Sequence, residues 1–232
     1  MTTSSLRRIV MLGTGTGVGK TWLACELVRA LRARGHRPLG LKPIESGVTD
    51  SNATDGALLA RSTFDERERA QALELRAPYR FADPISPHLA ARRVGRDISL
   101  DAALRYVQEN ESAGPPLSAF DVCVIETAGG LFSPLAPGVT NWDLAQALTP
   151  AKWLLVAPDA LGVLHDVTAT LLAARARGRL PDAIALCAAR PADASTGTNA
   201  HEIELLGIAS RPVVFPADGA AGLDRLLANL LV

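Results

Sequence analysis

The chain has 232 residues, of which 48% are hydrophobic, a size and composition that suit one α/β domain with a sizeable core. Lys plus Arg equals Asp plus Glu at 24 each, and the lack of a basic excess argues against a nucleic-acid partner. No apolar run approaches the roughly 20 residues of a membrane span. The first residues lack the layout of a signal peptide, so we expect no membrane association.

Five short apolar runs rich in Val, Ile and Leu follow one another along the chain, with a candidate sixth at residues 213–215. Because these runs are continuously apolar rather than alternating, they are typical of strands buried on both faces of a parallel sheet. The runs cover residues 9–12, 39–41, 122–125, 154–157, 183–187 and 213–215.

Helical periodicity lies between the runs. Apolar residues recur at the spacing of one helix face in four stretches, and a Ser-Pro pair predicts the N-cap and first residue of a further short helix. The residues are Ala24, Leu27, Val28 and Leu31; Ser86 and Pro87; Leu100, Leu104 and Val107; Val163, Val167, Leu171 and Ala174; and Leu223, Leu226, Leu227 and Leu230. Strands alternating with helices predict an α/β fold of three layers, a mostly parallel sheet flanked by helices.

The stretch from about residue 43 to 119 is less regular and rich in proline. We expect it to pack at the edge of the sheet and to supply loops over a site. Neither a linker nor an internal repeat interrupts the sequence, so we predict a single domain over residues 1–232.

The first predicted strand runs into the sequence GTGTGVGKT, which covers residues 13–21 and opens a helix. A strand, a glycine-rich loop and a helix in this order predict a phosphate-binding loop, and therefore a P-loop NTPase type of fold. The loop has one residue more than the usual G-x4-G-K-[ST] pattern. Lys20 is expected to reach the β- and γ-phosphates of a nucleoside triphosphate, and Thr21 to bind Mg²⁺.

The carboxyl ends of parallel strands are where open α/β sheets bind ligands. Glu126 ends the third run, which favours a magnesium ligand there over a solvated acid. Lys42 and Ser46 follow the second run, and from the sequence alone they suit a surface position as well as an anion contact. Asp159 and Gly162 form a D-x-x-G pattern, but no N-K-x-D accompanies it, so a GTPase switch is disfavoured.

The cysteines and histidines offer little chemistry. Cys25, Cys123 and Cys187 are widely separated, lie in apolar stretches and form no CxxC pair. We interpret them as reduced core residues and expect a cytoplasmic protein. The four histidines show no metal-ligand spacing, and no G-x-S-x-G elbow supports a hydrolase triad.

The motifs together resemble the dethiobiotin synthetase family. The resemblance rests on GTGTGVGKT, KPIESG, PISPHLAA and ETAGGLFSPL, in this order. It implies a homodimer that uses ATP, Mg²⁺ and CO2 (or bicarbonate) to close the ureido ring of 7,8-diaminopelargonic acid, a step of biotin biosynthesis.

The resemblance also implies roles for individual residues. Lys20, Lys42 and Thr16 would be catalytic, and Thr21, Asp55 and Glu126 would hold Mg²⁺. Substrate contacts would come from Thr16, Lys42 and Ser46, and from Leu161, Gly162 and Val163 of the partner subunit. The nucleotide would be bound by Gly15, Gly17, Val18, Gly19, Lys20, Thr21, Trp22, Asp55, Glu126, Thr127, Ala128, Gly129, Pro216, Ala217 and Asp218.

Two questions stay open at this level. Many members of the family read adenine with Asn-Asp after the fifth strand, where this chain has Ala189-Arg190, so CTP or GTP are possible in place of ATP. The alternative function is a switch ATPase of the partitioning or cell-division-site type. That class has a second lysine inside the phosphate loop, where Gly15 stands here.

Overall fold

A computed structural model describes residues 6–49, 54–64, 77–112, 120–189, 191–209, 212–215 and 222–231. The strands are β1 (Arg7–Gly13), β2 (Pro38–Leu41), β3 (Ile44–Ser46), β4 (Tyr79–Phe81), β5 (Val122–Glu126), β6 (Pro134–Ala136), β7 (Val139–Thr140), β8 (Lys152–Asp159), β9 (Ala183–Ala188) and β10 (Val213–Phe215). The helices are α1 (Lys20–Ala33), α2 (Asp55–Thr63), α3 (Pro87–Arg93), α4 (Leu100–Glu111), α5 (Asn141–Ala147), α6 (Val163–Ala176), α7 (Asn199–Leu205) and α8 (Leu223–Leu230).

The six predicted apolar runs form one parallel sheet in the order β10-β9-β8-β1-β5-β2. β1 is central: the strands β2 and β5 lie on one side of it, and β8, β9 and β10 lie on the other. The order of the strands reverses at β1, and α/β sheets bind ligands at the carboxyl ends of the strands next to such a reversal. The register pairs Met11 of β1 with Glu126 of β5, which brings the end of β5 beside the phosphate loop.

The sheet separates two apolar cores, because successive residues of each strand point to opposite faces. Ile9 and Met11 pack on one side with α1 and α8, while Val10 and Leu12 pack on the other with α3 to α7. This confirms the predicted arrangement of a parallel sheet between two helical layers. None of the described helices combines the length and apolar character that crossing a membrane requires.

The proline-rich middle region and the segment after β5 contain small sheets that the sequence pattern did not predict. β3 and β4 form a small parallel sheet of their own, and β6 and β7 form an antiparallel pair. With only two or three residues each, these strands are too short to give a periodic signal. The predicted helices at Pro87 and Leu100 are confirmed, with Ser86 and Ser99 as their N-caps.

Candidate functional site

The phosphate loop connects β1 to α1 and depends on glycine for its shape. Gly19 is the N-cap of α1 and has φ 97°, in the left-handed region. A Cβ atom added there would lie only 2.7 Å from the Cβ of Cys187 at the end of β9. At Gly13 an added Cβ would lie 2.8 Å from Lys20 Nζ and from the carbonyl oxygen of Gly15. Larger residues at these two positions would therefore displace the loop or the lysine.

Lys20 lies folded against this loop. Its Nζ donates a 2.9 Å hydrogen bond to the carbonyl oxygen of Gly15, and the residue is 6% exposed. Burial lowers the pKa of Lys20 to about 8; Glu126 opposes this shift and Lys42 adds to it. The ammonium is thus weakly solvated and lies against the loop that leads into the N-terminus of α1, which suits binding of an anion.

A compact ionic cluster lies beside the loop. Glu126 Oε1 accepts hydrogen bonds from Lys42 Nζ at 2.7 Å and from Thr21 Oγ1 at 2.9 Å. Lys42 Nζ also contacts Asp55 Oδ2. Burial by itself would lower the pKa of Lys42, but the attraction of Glu126 and Asp55 outweighs burial and raises it. Lys42 therefore stays charged inside the protein, and it is a buried member of this cluster rather than a surface lysine.

The oxygen atoms of this cluster fit a divalent cation such as Mg²⁺. Glu126 is 1% exposed, and its Oε2 is buried without a hydrogen-bond partner among the described residues. The hydroxyl of Thr21 donates its hydrogen bond to Glu126, so the lone pairs of the hydroxyl oxygen remain available. The described part of the chain holds no group of three or more His, Cys, Asp or Glu side chains that could bind a metal alone. Glu126 and Asp55 supply two carboxylates, and Mg²⁺ usually takes one or two carboxylates together with substrate phosphates.

A cleft of about 580 Å³ opens in front of the phosphate loop and the ionic cluster. It brings together twelve of the residues predicted from the sequence: Thr16, Gly17, Gly19, Lys20, Thr21, Trp22, Lys42, Ser46, Asp55, Glu126, Ala128 and Gly129. The volume is in the range of small-molecule sites.

Three other predicted residues lie close to the cleft without lining it. The Gly15 carbonyl holds Lys20. Val18 is buried in the apolar core under α1. Thr127 is buried as well, and its hydroxyl and its backbone N–H both donate to the carbonyl oxygen of Met11. Any contact of Val18 or Thr127 with a ligand would therefore have to come from the backbone.

The predicted residues at the start of α6 lie outside this cleft. Leu161 is 86% exposed, Gly162 is the left-handed N-cap of the helix and Val163 is buried. Asp159 of the D-x-x-G pattern accepts hydrogen bonds from Gly197 N at 2.8 Å and Asn199 Nδ2 at 2.7 Å. It thus holds the loop before α7 in place, which agrees with rejecting a GTPase switch. The predicted Pro216, Ala217 and Asp218, like Arg190, lie outside the described residues.

Five further residues line the cleft that were not assigned to the site from the sequence, namely Pro84, Ile85, Ser86, Pro87 and Ser133. The first four confirm that the middle region supplies a loop over the site. They lie in the PISPHLAA motif or next to it, and Ser133 lies in ETAGGLFSPL, so the motifs contained the signal. Ser133 Oγ accepts a 2.9 Å hydrogen bond from Gly130 N. Gly129, at φ 81°, has no room for a Cβ beside that hydroxyl.

Comparisons with known proteins match this chain over most of its length. A family model described as an AAA domain matches residues 7–212. The ATP-dependent dethiobiotin synthetase of Anaeromyxobacter dehalogenans (strain 2CP-1) is 37% identical over 202 residues, which are 87% of this chain and 86% of that protein. The enzyme of the same name from Aquifex aeolicus is 30% identical, with 85% and 83% covered.

Among solved structures, a ParA family ATPase from Chlorobium tepidum TLS matches with a TM-score of 0.54. The match covers 97% of this chain and 91% of that chain, at 14% identity, and so it supports the P-loop α/β fold alone. The two dethiobiotin synthetases are at least 30% identical and match most of both sequences, so they identify the family as well as the fold. The chain belongs to the ATP-dependent dethiobiotin synthetase family.

Proposed function

We propose that this chain closes the ureido ring of 7,8-diaminopelargonic acid with CO2 and ATP, giving dethiobiotin, ADP and phosphate. The observation that carries the proposal is the cleft that gathers the phosphate loop, Lys42 and Glu126, in a chain of this family. A likeness to ParA-type proteins at the level of the fold does not favour the switch-ATPase alternative.

Negative charge develops beside the γ-phosphate in two steps of the reaction. One substrate amine adds CO2 and loses a proton to give a carbamate. A carbamate oxygen then attacks the γ-phosphorus, the bond to ADP breaks, and a carbamic–phosphoric anhydride forms. The second amine attacks the carbonyl carbon, phosphate leaves, and the ureido ring is closed.

The residues of the cleft supply charge and position for these steps. We assign Lys20 to the β- and γ-phosphates and Lys42 to the developing charge between phosphate and carbamate, with Thr16 and Ser46 on the diamine side. Both lysines are buried, so their attraction for an anion is less screened than in water. Held by Thr21, Asp55 and Glu126, Mg²⁺ would neutralise part of the phosphate charge.

We further propose a homodimer in which the start of α6 meets the substrate carboxylate of the partner subunit. Support comes from the exposed Leu161 and Gly162 ahead of Val163, because a helix N-terminus favours a negative charge. We also propose that residues 1–232 act as one domain in the cytoplasm, where the three buried free cysteines would stay reduced.

The decisive experiment is phosphate release from ATP with Mg²⁺ and bicarbonate, with and without the diamine. We expect strict dependence on the diamine and a product with the mass of dethiobiotin. Lys20→Ala is the matched inactive control. Release that ignores the diamine would contradict the proposal and favour a switch ATPase.

The base preference has its own test. Ala189-Arg190 in place of Asn-Asp leads us to propose that CTP and GTP are used as well as ATP. Comparable kcat/KM values for the three nucleotides would support this, whereas activity with ATP alone would end the idea.

A further inference from the structure

Helix α2 has two acceptors for the backbone N–H groups of its first turn, and neither of them is its first residue. Thr54, the N-cap, accepts from Ala57 N at 3.1 Å. Glu45, from the neighbouring strand β3, accepts from Gly56 N through Oε1 at 2.6 Å. The N–H groups of Gly56 and Ala57 are therefore satisfied by Glu45 and by the N-cap, and neither bond uses Asp55.

Asp55 is the first residue of α2, and its side chain does not serve the helix. Its carboxylate contacts Lys42 and lines the cleft, and the side chain is 43% exposed. Glu45 holds the backbone N–H of Gly56, the residue directly after Asp55, so the start of the helix is fixed while the Asp55 carboxylate faces the cleft.

Glu45 itself is held in one orientation. It is 3% exposed and lies opposite Arg80 in the register of β3 and β4. Arg80 Nε lies 3.5 Å from Glu45 Oε2, which leaves Oε1 for the helix. A Cβ atom added at Gly56 would come within 3.1 Å of Oε1, so the residue at that position must be small for the carboxylate to reach the backbone.

We propose that Glu45 is a positioning residue that keeps Asp55 aimed into the cleft by accepting the N–H of Gly56. The proposal deepens the proposed function and rests on it, because there Asp55 helps to bind the magnesium–nucleotide complex. A partner that orients a metal ligand typically changes metal affinity by about 10- to 100-fold when it is removed.

The test is Mn²⁺ binding to the complex of the full chain with ADP, measured by electron paramagnetic resonance. We expect Glu45→Ala to weaken Mn²⁺ binding by about 10- to 100-fold, in the direction of Asp55→Ala. Glu45→Gln should stay within about threefold of the unchanged protein, because an amide oxygen still accepts the Gly56 N–H. Should Glu45→Ala fail to fold, Gly56→Ala takes its place. Alanine suits a helix, but its Cβ would crowd Oε1 of Glu45, so we expect several-fold weaker Mn²⁺ binding in Gly56→Ala.

Thr54→Ala is the matched control, since it removes a cap of the same helix and leaves Glu45 in place. Similar weakening by Thr54→Ala and Glu45→Ala would reduce Glu45 to an ordinary cap and overturn the proposal. Unchanged Mn²⁺ affinity in Glu45→Ala, or a Glu45→Gln variant as weak as Glu45→Ala, would overturn it too. If Asp55→Ala has no effect, the metal role of Asp55 fails and the proposal falls with it. Failure of the proposed function appears separately, in the diamine dependence of phosphate release.

Discussion

Replacing Lys42 by Met removes an ammonium from between two carboxylates while keeping most of its apolar stem. Lys42 Nζ bonds Glu126 Oε1 at 2.7 Å and also contacts Asp55. Removing one partner of a buried ion pair costs roughly 3–5 kcal/mol. We expect the lower end, about 3 kcal/mol, because Asp55 is 43% exposed on its side chain and Glu126 keeps the hydroxyl of Thr21.

The effect on turnover has a different origin. Loss of one preorganised group that stabilises developing charge costs about 100- to 1,000-fold in kcat, or roughly 2.7–4 kcal/mol. Urea denaturation measures the first quantity, and phosphate release at saturating ATP and diamine measures the second. Lys152→Met is the matched control: its ammonium lies 3.7 Å from Asp182 in a partly exposed pair, and we expect it to change both quantities little. A Lys42→Met variant with kcat within threefold of the unchanged enzyme would refute the assignment of Lys42.

Three further outcomes follow from the site and the loops around it. Because Lys20 has a pKa of about 8 and phosphate prefers its charged form, nucleotide affinity should fall about tenfold from pH 7 to pH 9 by calorimetry; a flat profile would contradict this. Gly19→Ala should lower the free energy of unfolding by about 2–4 kcal/mol, through its left-handed φ and its contact with β9. Gly17 also has a positive φ, but a Cβ added there would meet open space. Equal losses of stability in Gly17→Ala and Gly19→Ala would therefore argue against crowding by β9 as the cause. Asn199→Ala should cost about 2 kcal/mol in urea denaturation, because it takes a donor from the buried Asp159; a loss below 0.5 kcal/mol would refute that role.

Most of the sheet could be predicted because its strands are buried on both faces. Such strands need continuous apolar runs, and each of the six runs became a strand. The order of the strands could not be read in the same way, because it depends on which helices cover which face. Yet the rule that ligands gather at strand ends required only that the sheet be parallel. It singled out Lys42 and Glu126, which lie 84 residues apart in sequence and are in hydrogen-bond contact in the fold.

The residues that sequence reasoning missed are those whose position depends on irregular structure. Ser133 lines the cleft because the loop after β5 turns back on Gly129 and Gly130, and no periodicity describes such a turn. Glu45 is adjacent to a predicted site residue, but its partner Arg80 becomes its neighbour only when β3 pairs with β4. For both residues, the contact that gives the side chain its role forms only in the folded chain and cannot be predicted from the sequence pattern.

The charges of the cleft explain why the cluster can exist before any substrate binds. Lys20 and Lys42 face Asp55 and Glu126, so two positive groups offset two negative ones in a largely buried setting. Glu126 accepts from Lys42 and Thr21 on Oε1, and its Oε2 has no hydrogen-bond partner within the part of the chain that the structure describes. A cation that approaches Oε2 would therefore not have to displace Lys42 from Oε1. Under the proposed function, Glu126 would hold Mg²⁺ through Oε2 while it keeps Lys42 on Oε1, so one carboxylate would serve both cations.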